Sequence, residues 1–133
     1  MSAETLLIDL GGTNLRAGVG NPESLKVSDV KKFPIKTNID FYNALDSINS
    51  EVNCNEIIIS AAGPCENNSI SMTNRDLSIS GTDVEKRLGA SGCYLLNDWE
   101  SIGYSLPLMK DHDLKTIKQG NLDLQNTCLA IGP

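Results

Sequence analysis

The segment Leu6-Leu7-Ile8-Asp9-Leu10-Gly11-Gly12-Thr13-Asn14-Leu15-Arg16-Ala17-Gly18-Val19 constrains the fold more than any other part of the chain. It is an apolar run ending in an acid, then two glycines, then a run in which Leu15, Ala17 and Val19 alternate with Asn14, Arg16 and Gly18. Alternation with period two is a strand signal, so strands over 5–10 and 14–20 form a hairpin around Gly11-Gly12. A P-loop is thereby excluded, because it needs Gly-Lys-Ser/Thr and a helix directly after the glycines; a dinucleotide fingerprint fails for the same reason. Without Cβ atoms, Gly11 and Gly12 permit φ > 0 and let backbone N–H groups approach phosphate oxygens. Thr13 offers a hydroxyl, Asn14 and Arg16 offer further donors, and Asp9 is placed to hold Mg²⁺ through water. The plainer alternative is a tight hairpin turn with an acid beside it.

The rest of the chain alternates helix and strand signals. A third strand falls within 25–35 and ends near Pro34. Phe41, Ala44, Leu45, Ile48 and Val52 repeat at helical spacing, with Asn38 or Asp40 available as N-cap. Residues 56–62 read as a buried strand closed by Gly63-Pro64, and 69–73 as a short edge strand. Thr82 opens a capping box for a helix over 83–88, and Gly89 caps its end. Residues 93–96 are a strand. Residues 98–106 are a helix presenting Trp99, Ile102, Gly103 and Leu106 on one face and stopped by Pro107. Residues 108–126 form an irregular polar connection, and 127–131 begin another strand. Three strands followed by crossover helices predict a mixed sheet covered by helices.

Bulk properties narrow the partners. The 133 residues make one domain and one sizeable core. A net charge of −6 disfavours nucleic acid and anionic membranes. Cys54, Cys65, Cys93 and Cys128 form no CxxC pair and no metal-ligand spacing, as reduced cytosolic thiols would. The N-terminus has no signal-peptide pattern, and the apolar runs are too short to span a bilayer, so the expected location is cytoplasmic. Asn67-Asn68-Ser69 is a glycosylation sequon without meaning in that compartment. His112 reads as a solvated loop residue.

Two further strings carry chemistry. Leu95-Leu96-Asn97-Asp98-Trp99-Glu100 places an amide and a carboxylate where a strand ends and a helix begins, and ligands of open α/β sheets collect there. Asn97 with Glu100 is also a capping pair, and one reading does not exclude the other. Ala61-Ala62-Gly63-Pro64 and Ser71-Met72-Thr73-Asn74 can border a pocket or simply turn the chain.

Taken together and in this order, the three strings resemble the N-terminal part of bacterial-type glucokinases, of the hexokinase, actin and heat-shock chaperone superfamily. Asp9 to Arg16 resembles the first phosphate motif. Ala62-Gly63-Pro64 and Met72-Thr73-Asn74 resemble the segment bordering the sugar, and Leu96 to Ser101 the sugar-binding and catalytic motif. The fold so implied is a ribonuclease H-like, actin-like ATPase domain: a mixed five-stranded sheet with an N-terminal antiparallel meander and flanking helices. The activity implied is transfer of phosphate from ATP, with Mg²⁺, to the 6-hydroxyl of glucose. Asp98 would be the general base, and Asn97, Thr73 and Asn74 would join it in holding the sugar. Asp9 would position the metal through water, and Gly11, Gly12, Thr13, Asn14 and Arg16 would face the phosphates. Family members are longer, so residues 1–110 are expected to be the N-terminal domain and 111–133 a connection into a second one. The chain alone is expected to be inactive and to associate with itself, as a homodimer or a larger species. The alternatives are a kinase half for another hexose or amino sugar, and a non-catalytic domain that binds sugar or phosphate.

Overall fold

Strand β1 (Thr5–Leu10) pairs antiparallel with β2 (Asn14–Asn21), which pairs antiparallel with β3 (Lys26–Pro34). The computed structural model describes residues 4–72, 76–121, 123, 125–127 and 129–131. Helix α1 (Asn38–Asn49) crosses over to β4 (Glu56–Ala61), which lies parallel to β1. Short strands β5 (Cys65–Glu66), β6 (Ser69–Ser71) and β7 (Ser78–Ser80) follow, then α2 (Gly81–Leu88), β8 (Gly92–Asn97) and α3 (Asp98–Ser105). The main sheet runs β3-β2-β1-β4-β8, the expected mixed sheet with its N-terminal meander. The strand expected at 69–73 is the middle member of a separate sheet, β5-β6-β7.

Pairing register arranges the core in rows across the sheet. Val19, Leu6, Ile57 and Cys93 form one row, and Ala17, Ile8, Ile59 and Leu95 the next. All eight are buried, against Phe41, Ala44, Leu45 and Ile48 of α1 and Val84 of α2. Each large aliphatic side chain so buried contributes roughly 1.5–3 kcal/mol. The third row is Leu15, Leu10, Ala61 and then Asn97, so an amide ends an otherwise apolar line. The apolar run of β4 fills only one face completely, and Ile58 on the other is half-buried.

The caps differ from those expected. The N-cap of α1 is Thr37: its hydroxyl accepts from the Asp40 N–H, and the Asp40 carboxylate accepts from the Thr37 N–H. Asn38 instead accepts from the Ser78 N–H, tying α1 to β7. Helix α2 starts earlier than expected because Ser80 caps it by accepting from the Asp83 N–H, while Gly89 closes it at φ +66° as expected. Arg87 of α2 forks onto Asp46 of α1 at 2.8 and 2.6 Å, and its guanidinium lies 5.0 Å from the Tyr42 ring centre.

The chain divides into two compact units, Met1–Asp98 and Trp99–Pro133. In the second, no residue of α3 is buried, and Trp99 and Ile102 are half-exposed. Two single turns, Leu106–Leu108 and Asp111–Asp113, interrupt the polar connection. The strand expected over 127–131 does not form among its described residues; Leu129 and Ile131 are exposed and pair with no other strand there. A strand needs a ladder partner to satisfy its backbone groups. Among the described residues no helix is long and apolar enough to cross a membrane.

Candidate functional site

The loop between β1 and β2 brings together the five residues expected to face phosphate and the Asp9 expected to hold its metal. Asp9, Gly11, Gly12, Thr13, Asn14 and Arg16 line one concavity of about 140 Å³, the space of a few waters at roughly 30 Å³ each. Asp9 and Arg16 are direct cross-strand partners, and the guanidinium donates to the Asp9 carboxylate at 3.2 Å. Both side chains are more than half exposed, 54% for Asp9 and 61% for Arg16, so the pair is worth at most ~1 kcal/mol to the fold. A guanidinium carries five N–H donors, so its contact to Asp9 does not exhaust its capacity.

The glycines work differently from the expectation. Neither Gly11 nor Gly12 has a positive φ. The Gly11 N–H donates to the Asn14 carbonyl at 2.9 Å, which closes the hairpin. A Cβ at Gly12 would meet nothing within 4 Å, so the missing side chain leaves open space at the tip rather than relieving strain. The tip is anchored from outside. Ile35, 1% exposed, donates its N–H to the Thr13 carbonyl at 3.0 Å, and the Asn14 amide donates to the Thr13 hydroxyl at 2.7 Å.

Asn97 and Asp98 stand at the carboxyl end of β8, in the same row as Leu10 and Ala61. The phosphate-type loop, the turn after Ala61 and the Asn97-Asp98 pair therefore leave one edge of the sheet. Leu10 and Asn97 are two strand steps apart, roughly 10 Å. They do not share a face: Asn97 continues the core row, whereas Asp9 and Arg16 project from the opposite, exposed side. Asp98 begins α3, where the helix dipole favours a carboxylate.

The Asn97 amide donates to the Gly63 carbonyl at 2.8 Å. Gly63 has φ +141°, and a Cβ there would lie 2.8 Å from the Ser71 carbonyl oxygen, so this turn requires glycine twice over. Thr73 and Asn74 lie outside the described residues. Asn68, read in the sequence only as part of a sequon, bonds to the β8 backbone through its side chain, at the Cys93 carbonyl and the Leu95 N–H. The available signal was the Asn-Asn pair, since asparagine tolerates the left-handed conformation that tight hairpin turns need. Cys54, Cys65 and Cys93 are free thiols, and burial pushes Cys93 up to about 12. No group of three or more His, Cys, Asp or Glu that could hold a metal occurs among the described residues.

The comparisons with known proteins point one way. A family model described as Glucokinase matches residues 6–133. The glucokinase of Colwellia psychrerythraea is 28% identical over 134 residues, which cover 96% of this chain and 40% of that protein. A glucokinase from an Antarctic psychrotroph has a TM-score of 0.71 at 18% identity, covering 92% of this chain and 41% of the other. A ROK family glucokinase from Streptomyces griseus, in complex with glucose and AMPPNP, has a TM-score of 0.60 at 22% identity, covering 77% and 36%. These structures share the fold, which is the expected actin-like sugar-kinase fold. The chain spans about 40% of the length of the curated relatives it matches. With the match running through both the Asp9–Arg16 loop and the Asn97-Asp98 junction, the chain belongs to the glucokinase family, whose members are phosphotransferases.

Proposed function

We propose that this chain supplies the sugar-side carboxylate and one phosphate loop of an ATP-dependent glucokinase, which transfers phosphate to the 6-hydroxyl of glucose. One observation carries the reading: the loop and the Asn97-Asp98 pair leave the same sheet edge, roughly 10 Å apart. Phosphoryl transfer consists mostly of positioning and charge stabilisation, so a rigid sheet edge with an acid and a donor loop is suitable equipment.

In this reading Asp98 orients the sugar hydroxyl and accepts its proton. Asn97, Thr73 and Asn74 bind sugar hydroxyls. Thr13, Asn14 and Arg16 donate to phosphate oxygens, and the lack of side chains at Gly11 and Gly12 keeps the approach open. Asp9 suits Mg²⁺ held through water. It is an exposed carboxylate lining a small concavity, and Mg²⁺ usually keeps several waters and takes one or two carboxylates plus substrate phosphates. When bound, the ion would neutralise phosphate charge. Arg16 would then exchange its contact with Asp9 for phosphate, and Asp9 would be released toward the ion's waters.

Turnover, in this reading, also needs the parts of the family's longer chains that lie beyond this one. Residues 1–110 serve as the N-terminal domain, and 111–133 lead into the next. The working compartment is the cytoplasm. Alone, the chain associates with itself through exposed apolar side chains such as Ile117, Leu129 and Ile131. Static light scattering tests this, and a monomer at high concentration contradicts it.

The decisive experiment is a chimera in which this chain replaces the matching segment of the Colwellia psychrerythraea glucokinase. Asp98→Asn in the chimera should lower glucose turnover by roughly 10²–10⁴ in a coupled assay. Turnover within tenfold of the unsubstituted chimera would overturn the role of Asp98. A chimera that folds but phosphorylates another hexose or an amino sugar in preference to glucose would move the substrate to that sugar.

A further inference from the structure

Strand β8 is an edge of the main sheet, and an edge strand leaves a row of backbone groups without a ladder partner. Here a side chain takes the place of that partner. The Asn68 amide donates to the Cys93 carbonyl at 2.7 Å, and its carbonyl oxygen accepts from the Leu95 N–H at 2.9 Å. These are the groups a neighbouring strand would use. The Cys65 thiol adds a contact to the Leu95 carbonyl at 3.2 Å.

Two features built into the backbone bring Asn68 there. Asn67 and Asn68 have φ of +49° and +55°, the primed hairpin turn that joins β5 to β6. The Asn68 carbonyl accepts from the Gly81 N–H at 2.9 Å at the start of α2. A Cβ on Gly81 would lie 2.2 Å from the Asn68 amide nitrogen and 2.8 Å from the Leu95 side chain. Only a residue without a side chain at 81 leaves the amide room to reach β8.

Two residues beyond Leu95 the same segment grips the strand again, through Asn97 and Gly63. Residues 63–68 therefore hold β8 at three alternate residues, 93, 95 and 97, along the free edge. We propose that Asn68 is a positioning residue: through the edge of β8 it sets the placement of Asn97 and Asp98. Its bearing on sugar binding rests on the function proposed above.

The test uses the isotope-labelled full chain, followed by nuclear magnetic resonance. Asn68→Gly keeps the left-handed backbone and removes the amide. It should speed hydrogen exchange at the Leu95 N–H about tenfold, as loss of one partly buried hydrogen bond would. It should also shift the Asn97 side-chain NH₂ signals. In titrations with glucose and with inorganic triphosphate, the variant should weaken glucose binding about fivefold and leave the triphosphate midpoint at Gly12 and Arg16 unchanged; general loss of structure would weaken both together. Gly81→Ala keeps Asn68 but displaces its amide, and should reproduce the Leu95 and Asn97 changes if Asn68→Gly fails to fold. Leu95 exchange and Asn97 signals at parent values in either folded variant would overturn the proposal, as would parallel loss of both ligands. A parent chain that shows no glucose response would overturn the sugar reading alone, because the Leu95 and Asn97 signals still decide the positioning role.

Discussion

The hairpin loop and the β8–α3 junction are two halves of one candidate site held by opposite means. The loop is local. Asp9 to Arg16 are contiguous, the pair that spans them is seven residues apart, and its turn needs no unusual backbone angle. The junction is non-local. Asn97 and its strand are held by residues 25 to 34 positions away, through a turn at Gly63 that only glycine fits and a hairpin with two asparagines in the left-handed region. Local parts tolerate change because little else depends on them. Non-local parts transmit damage.

The largest effect should come from Gly63→Ala. A Cβ in that backbone conformation, pressed against the Ser71 carbonyl, should cost ~3 kcal/mol in urea unfolding. A loss below ~1 kcal/mol would mean that the turn relaxes and the junction is not rigid. Gly12→Ala makes the opposite glycine test. With nothing within 4 Å of the added methyl, stability should stay within ~0.5 kcal/mol of the parent. Triphosphate binding should still weaken about tenfold, the worth of one charge-assisted hydrogen bond, and unchanged binding would count against the loop as a phosphate site.

Acid separates the helical layer from the central strand without mutation. The Arg87 fork holds Asp46 below its ordinary 3.8, and the backbone N–H groups of Lys36 and Thr37 do the same for Asp40. A lowered carboxylate stabilises the fold above its ordinary pKa and loses that contribution as pH falls through the lowered value. Below about pH 3.8 the contact between α1 and α2 should loosen first. Amides of Val84 and Arg87 should then exchange faster at acid pH, relative to intrinsic rates, while those of Leu6 and Ile8 hold. Simultaneous loosening would erase the distinction. Arg16→Met removes an exposed cross-strand pair and should change stability by only ~0–1 kcal/mol in the same unfolding assay.

The same contrast explains what could be read from residues alone. The hairpin and the grouping around Asp9 were legible because period-two alternation and two glycines are neighbours in the chain. The place of Asn97-Asp98 at a strand's carboxyl end was legible, since ligands of α/β sheets collect there; its row with Leu10 and Ala61 was not, because register is set between distant strands. The caps lie at Thr37 and Ser80 rather than at Asn38, Asp40 or Thr82, and Thr37-x-x-Asp40 is itself a capping pattern. Asn68 was invisible as an edge partner: its acceptor and donor lie 25 and 27 residues downstream, and nothing in the local pattern names them. Apolarity at 127–131 suggested a strand, but apolar residues become a strand only where a partner backbone lies alongside.

The in-register row from Leu10 through Ala61 to Asn97 makes the separation of the two half-sites a whole number of strand spacings, and that has a consequence for how such a chain can change over generations. Inserting or deleting residues in the exposed turn at 22–24 leaves the row untouched. Removing a single residue from β1, β4 or β8 while keeping the same turns would reverse which side chains face the helices beyond that point. After such a deletion within β8 every amino acid of the site could still be present, but the amide of Asn97 would face away from Gly63. Sequence drift at this edge is therefore free in composition and locked in length.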